Sequence, residues 1–285
     1  MERKEIIYLA LLIFVTFIWG VTFPMIKDVF VYLSPVSFLA IRFVIASLIF
    51  LPFVYRKLKE SNRDTIRYGV IAGIFLFIAY YLQTVGLMYT EPALSGTITG
   101  IYVVFVPLIS YIYLRKRVMR IEIYSSVFAF IGLVLMSYSG LHNLAIEAGD
   151  ILTFIAAIFY AMQLVYVSKY ASDVDPLTFS FLQIVVVAVL SLAFMRTDMY
   201  PLVFSYYALF VVVFTAIFAT FLATYIYVSA LSRMNVTKVG VILIGEPIFA
   251  DITSIFLFNE PVGPVEVLGI CIMIASIGVI SYFSD

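Results

Sequence analysis

The run Val236–Phe258 is apolar almost throughout, yet it carries Glu246-Pro247 close to its midpoint and Asp251 about a turn further on. It is about as long as the ~20 residues an α-helix needs to cross a bilayer. A carboxylate at that depth costs several kcal/mol unless it is protonated, paired or facing water. Pro247 removes one backbone N–H and loosens the turn before it, which a lipid-exposed helix rarely tolerates. Acid, kink and helix together read as the wall of a polar space inside a membrane, where Glu246 complements a positive charge or carries a proton. The competing reading is a protonated Glu246 hydrogen-bonded to a neighbouring helix.

Other polar side chains lie equally deep in apolar sequence. Arg42 must pair, snorkel or line water. It reads first as an anchor held by several acceptors, and second as a charge partner of Glu246 or Asp251. Tyr80 and Gln83, like Tyr160 and Gln163, are spaced i, i+3 and so share one helix face. A repeated Tyr-x-x-Gln fits an aromatic and polar cavity in which amides read a solute's amino or carboxyl group. The same amides, with Gln183, could equally staple helices together. Trp19 is the only Trp and lies well inside its run; it reads either as a stacking wall or as a packing residue beside Gly20. Thr99 reaches such a cavity or bonds back to its own helix. Gly96-x-x-x-Gly100 fits close helix packing, and Pro107 and Pro247 are the expected kinks. Lys238, one turn into its run, is expected to snorkel to the cytoplasmic side.

Several chemistries are missing from the sequence. No GxxxxGK[ST] phosphate loop is present, so the chain holds no ATP-driven engine. Neither HExxH nor GxGD occurs, which leaves intramembrane proteolysis without its usual groups. The single cysteine, Cys271, excludes a disulfide framework, and the single histidine, His142, falls in a short loop. No metal site, cofactor or nucleic-acid patch is expected.

The elements that must position these residues follow from composition. The 285 residues are 64% hydrophobic and 12% charged, with a mean hydropathy of +1.13, which places the chain among polytopic membrane proteins. Apolar runs predict ten membrane-spanning helices, at 6–27, 35–55, 67–89, 93–114, 121–139, 148–170, 176–195, 203–229, 235–258 and 264–283. No cleavable signal is expected, because the first run is full length. Alternate loops differ sharply in Lys and Arg. With the N-terminus inside, 14 basic residues fall on the cytoplasmic side, against Lys27 and Arg196 outside. The positive-inside rule therefore puts both termini in the cytoplasm of a plasma-membrane protein.

The two halves also match. A shift of 141 residues lays Pro35 on Pro176, Trp19 on Tyr160 and Arg42 on Gln183; a shift of 140 lays Gly100 on Gly240 and Pro107 on Pro247. Five spans per half is an odd number, so the second half runs inverted relative to the first. The expected units are 1–145 and 146–285. Inverted repeats characterise secondary transporters, with a substrate site near the midplane. The halves are chemically unequal, since Glu246 falls on Val106 and Asp251 on Tyr111, as suits one off-centre site.

Trp19-Gly20-Val21-Thr22-Phe23 with Lys27 resembles the first-span signature of the EamA family in the drug/metabolite transporter superfamily. Pro35 followed by Arg42-Phe43, Pro107, Glu246-Pro247 and Asn259-Glu260 are similar to that family's later motifs. Arg115-Lys116-Arg117 departs from the Gly-Glu the family commonly carries after the fourth span, and the second half lacks the Trp. The resemblance implies ten helices in two inverted repeats and alternating access for a small metabolite, often export of amino acids or related compounds. The combined expectation is a non-enzymatic secondary transporter for a small zwitterion or cation. It sits in the lipid bilayer, and protons are the candidate coupling ion. The alternatives are a quaternary-amine or drug-cation carrier and a scramblase-like lipid-handling protein. Nothing in the sequence sets an oligomeric state, and a monomer is compatible with it.

Overall fold

The computed structural model describes residues 3–115, 117–137, 147–195, 205–258 and 263–283, and side chains within these except at 3–4 and 254–258. Every regular element among them is helical. In order these are α1 (Arg3–Val29), α2 (Pro35–Lys59), α3 (Arg63–Gly86), α4 (Pro92–Gly100), α5 (Tyr102–Leu114), α6 (Arg120–Met136), α7 (Ala148–Tyr170) and α8 (Pro176–Phe194). There follow α9 (Tyr206–Phe214), a π-helical segment (Thr215–Leu222), α10 (Ala223–Leu231), α11 (Val236–Leu243), α12 (Gly245–Phe258) and α13 (Pro264–Phe283). Eight helical runs among the described residues are long and apolar enough to cross a membrane. Two further runs fall outside that set. The helix α6 has 17 residues, and Val236–Phe258 is broken at Ile244 and carries Lys238, Glu246 and Asp251.

Local chemistry explains where several helices begin and stop. Helices α2 and α8 each open on a capping side chain followed by Pro: Ser34 accepts from the Ser37 N–H, and Asp175 from that of Thr178. The cap satisfies one donor of the first turn, and Pro at the first position has no N–H to orphan. Asn62, Ser205 and Asn235 cap α3, α9 and α11 in the same way. Helix α2 outruns its expected end because Arg56, Lys57 and Lys59 continue it into the polar zone, where Lys57 meets Asp175 at 2.6 Å.

Polarity is arranged inside out. Phe53, Leu108, Phe128, Leu192, Phe210 and Leu268 stand exposed, while Arg42, Gln83, Gln163, Gln183, Lys238 and Glu246 are buried. That suits a hydrocarbon surround, in which polar groups must find partners within the protein. Lys238 does not snorkel out: it is buried, with the Glu5 carboxylate 3.9 Å away, so its charge is balanced from the start of α1.

Contacts recur in pairs. Helix α2 packs on α8, and α6 on α13. Helix α1 runs along α11 and α12, as α7 runs along α4 and α5; α3 packs on α7 and α8, as the π-interrupted run packs on α1 and α2. Three glycines let α12 nest between α1 and α4. A Cβ on Gly20 would come within 2.6 Å of the Glu246 carbonyl oxygen and 2.7 Å of the Ala250 nitrogen. On the other side, Gly96 and Gly100 of the expected G-x-x-x-G face Ala250 and Pro247. The fold thus presses Glu246 into the middle of the bundle.

Candidate functional site

Trp19, Arg42, Tyr80, Gln83, Thr99, Tyr160, Gln163 and Glu246 all line one cavity, built from α1, α2, α3, α4, α7 and α12 together with α5, α10 and α11. Its empty space, open end included, is about 780 Å³. Both halves of the chain contribute walls. Asp251, grouped by sequence with Glu246, is not on that wall; nor is Pro107, through which α5 runs without a break. The interruption in that run falls at Ile101 instead, where the backbone N–H bonds the Ile98 carbonyl in a tightened turn. Its counterpart at Ile244 precedes Pro247, whose missing N–H leaves the Leu243 carbonyl without its helical donor. Thr99 and Tyr102 flank one break and Leu243 and Glu246 the other, and all four face the cavity.

Hydrogen bonds lock most of the wall. The Tyr160 hydroxyl donates to Gln83 Oε1 at 2.8 Å, and Gln83 Nε2 donates to Thr99 Oγ1 at 2.9 Å. Thr99 in turn donates to the Ser95 carbonyl at 2.8 Å. Gln163 Nε2 donates to Gln183 Oε1 at 2.6 Å and to the Tyr227 hydroxyl at 2.7 Å. The amides are therefore staples as well as cavity lining. Tyr80 meets Tyr160 edge-on at 5.5 Å, and Trp19 is tilted against Tyr227 at 5.9 Å.

Two of the cross-half donors fall at positions matched by the 141-residue shift. Trp19 Nε1 donates to the Ala219 carbonyl in the π-segment at 2.8 Å, whereas Tyr160 donates to Gln83 of α3. Arg42 also addresses the π-segment: Nε donates to Thr220 Oγ1 at 2.6 Å and Nη2 to the Ala219 carbonyl at 3.3 Å. Its guanidinium lies 5.3–6.0 Å from the ring centres of Tyr80, Phe43 and Phe38. Arg42 thus bonds the π-segment, and no hydrogen bond joins it to Glu246 among the described residues. Glu246, itself buried, faces the cavity without a hydrogen bond among the described residues.

Three contributors escaped sequence reading. Tyr102 and Tyr227 line the cavity but match no motif across the halves, and the π-segment has no Pro or Gly to signal it. Such segments are rare and cluster at functional sites. At the cavity's end beside α3, Lys27 Nζ donates to the carbonyls of Leu87, Met88 and Thr90 at 2.7–3.1 Å and ties α1 to the α3–α4 turn. His142, Lys116, Arg196 and Asn259-Glu260 lie outside the described residues.

Comparison with known proteins gives this architecture a family. A model described as the EamA-like transporter family matches residues 6–138 and again 147–282. An uncharacterized transporter of Archaeoglobus fulgidus is 31% identical over 268 residues, covering 94% of this chain and 83% of the relative. The uncharacterized transporter YvbV of Bacillus subtilis is 25% identical over 275 residues, covering 94% and 89%. A crystal structure superposes with a TM-score of 0.77 at 15% identity, covering 98% of this chain and 96% of that one; it is a likeness of fold alone. With one family model matching each half of the chain in turn, the protein belongs to the EamA-like transporters of the drug/metabolite transporter superfamily, and it is a multi-pass membrane transporter of the plasma membrane rather than an enzyme.

Proposed function

We propose that the protein is a secondary transporter that moves a small organic solute, a zwitterion or cation, by alternating access through the cavity around Glu246. One observation carries the reading. A cavity shared by both halves sets a buried carboxyl among aromatic rings and amides, at the level where two helical runs are interrupted. Broken helices at a repeat interface are the usual frame of a transporter's substrate site. In this reading all ten helical runs cross the membrane, α6 and the broken α11–α12 run included, as two inverted units divided near residue 145. The paired contacts and the matched donors Trp19 and Tyr160 support the division. Both termini are cytoplasmic and the solute is exported, as the charge distribution and the family resemblance respectively imply.

In this orientation a broad apolar plug that includes Leu12, Val15, Leu164, Tyr227 and Leu243 seals the cytoplasmic end. Two smaller clusters, Phe23, Leu87 and Ala250 and, further out, Val29, Leu33, Phe38, Ala208, Val211 and Val212, lie toward the other. The difference supports an outward-facing state. Glu246 supplies the charge complement for the solute or exchanges it for a proton. A cation carrier is the second reading, favoured by the rings of Trp19, Tyr80, Tyr102, Tyr160 and Tyr227 on the wall.

Solute counterflow in proteoliposomes, with amino acids and quaternary amines and with or without a pH gradient, tests the proposal. Accumulation should require the gradient and vanish in Glu246→Gln. Normal gradient-driven transport by that variant would remove Glu246 from the mechanism. Lipid flipping without exchange of any soluble solute would support the lipid-handling alternative instead.

A further inference from the structure

Away from the central cavity, the start of α3 and the end of α5 both pack against the end of α7. Four tyrosines from the three helices gather there. Tyr68 stacks on Tyr170 with ring centres 3.9 Å apart, Tyr166 lies 5.0 Å from Tyr170, and Tyr113 lies 6.2 Å from Tyr166. Lys169 Nζ rests among them, 4.2 Å from the ring centre of Tyr113 and 5.4 Å from that of Tyr170. On α3, the charge of Arg67 acts on Tyr166. Arg67 and Lys169 are both exposed, and among the described residues neither has a carboxylate at ion-pairing distance. Lys57 and Lys238, by contrast, meet Asp175 and Glu5. Rings hold a cation in place without neutralising it, so the junction keeps two positive charges beside a set of phenolic hydroxyls. Arg67 also shares its helix face with Val70 and Ile74, both exposed. An apolar track therefore leads from the charged end toward the hydrocarbon zone.

We infer that this three-helix junction binds the phosphate of an anionic phospholipid. Lys169 and Arg67 donate charge-assisted hydrogen bonds to the phosphate oxygens, tyrosine hydroxyls serve the glycerol oxygens, and an acyl chain follows Val70 and Ile74. Basic pockets between membrane helices suit such headgroups. An aromatic belt and a topology signal alone would spread rings and charges around the perimeter; here they converge from three helices. Helices α3 and α5 belong to one half of the chain and α7 to the other. Tyr68, Tyr170 and Leu114 pack against the core cluster of Leu12, Val15, Leu164 and Tyr227. A bound lipid thus ties the halves together at the end which that cluster closes. The inference needs only the membrane-spanning fold and stands or falls apart from transport.

Thermal unfolding of the full chain in detergent, titrated with phosphatidylglycerol or with phosphatidylcholine of the same acyl chains, tests it. Phosphatidylglycerol should raise the unfolding temperature saturably, and phosphatidylcholine should not. Each lost charge should weaken the apparent phosphatidylglycerol affinity roughly fivefold, and Arg67→Gln/Lys169→Gln on the order of 30-fold. All these positions are exposed, so the variants fold. Arg56→Gln/Lys59→Gln removes two exposed charges at the end of α2, where Lys59 sits over Tyr55 of its own helix, and should bind like the wild type. Equal stabilisation of the wild type by both lipids, or an unchanged affinity in Arg67→Gln/Lys169→Gln, would overturn the site. An equal loss in Arg56→Gln/Lys59→Gln would do so as well, by reducing it to general surface charge. Glycerol 3-phosphate should give no saturable shift; a shift like that of the lipid would overturn the assignment to phospholipid.

Discussion

At the scale of single residues, the site consists of polar groups already satisfied by one another and a few that are not. Gln163 belongs to the first kind: its amide serves Gln183 and Tyr227 across three helices. Gln163→Leu strands a buried carbonyl and alters a buried hydroxyl, a cost of about 1–3 kcal/mol. Thermal unfolding in detergent should fall accordingly, and the double variant Gln163→Leu/Gln183→Leu should recover part of the loss by removing both partners. Additive losses would mean that the two amides are not coupled. Arg42 and Glu246 are of the second kind. Arg42 turns part of its donor fork to the π-segment, and Glu246 makes no hydrogen bond among the described residues; in the proposed transport cycle these are the groups a solute meets.

At the scale of elements, discontinuity positions chemistry. Cavity-lining residues flank the breaks at Ile101 and Ile244, and the π-segment at Thr215–Leu222 holds the wall side chains Trp19 and Arg42, whereas a regular helix turns its carbonyls into its own ladder. Close packing then fixes the broken pieces. Gly20 faces α12 backbone atoms that cannot rotate away, so Gly20→Ala overpacks the α1–α12 contact at a cost of about 1–3 kcal/mol and shifts Glu246. Gly278 has nothing within 4 Å of an added Cβ. Gly278→Ala should therefore leave stability unchanged or raise it by up to about 1 kcal/mol through helix propensity. Measuring thermal stability and counterflow for the two variants checks the assignment, and equal behaviour would refute the close contact.

At the scale of the whole molecule, polarity and charge carry the arrangement in the membrane. Orientation is testable in a Cys271→Ser background, because Cys271 is the only cysteine. Val31, 77% exposed in the α1–α2 turn, should react as Val31→Cys with an impermeant maleimide applied outside. Glu60→Cys, in the exposed α2–α3 turn, should react only after the cells are opened. The reverse pattern would invert the topology and with it the outward-facing assignment.

Much of this architecture was legible in the sequence. Apolar runs and the prolines that open two of them, Pro35 and Pro176, are local or additive signals, and they place helices and flag deep polar residues. Glu246, Arg42 and the two Tyr-x-x-Gln faces stood out because a polar side chain in an apolar run is costly wherever it points. What the sequence by itself determined was therefore the membrane class, the helical runs and the identity of the costly residues. Which of them meet was decided only by tertiary structure. Arg42 turns to a π-segment with no sequence signature, Tyr102 and Tyr227 join the wall, and Asp251 stays off it, because direction around a helix depends on how breaks and glycine contacts rotate neighbouring helices against one another.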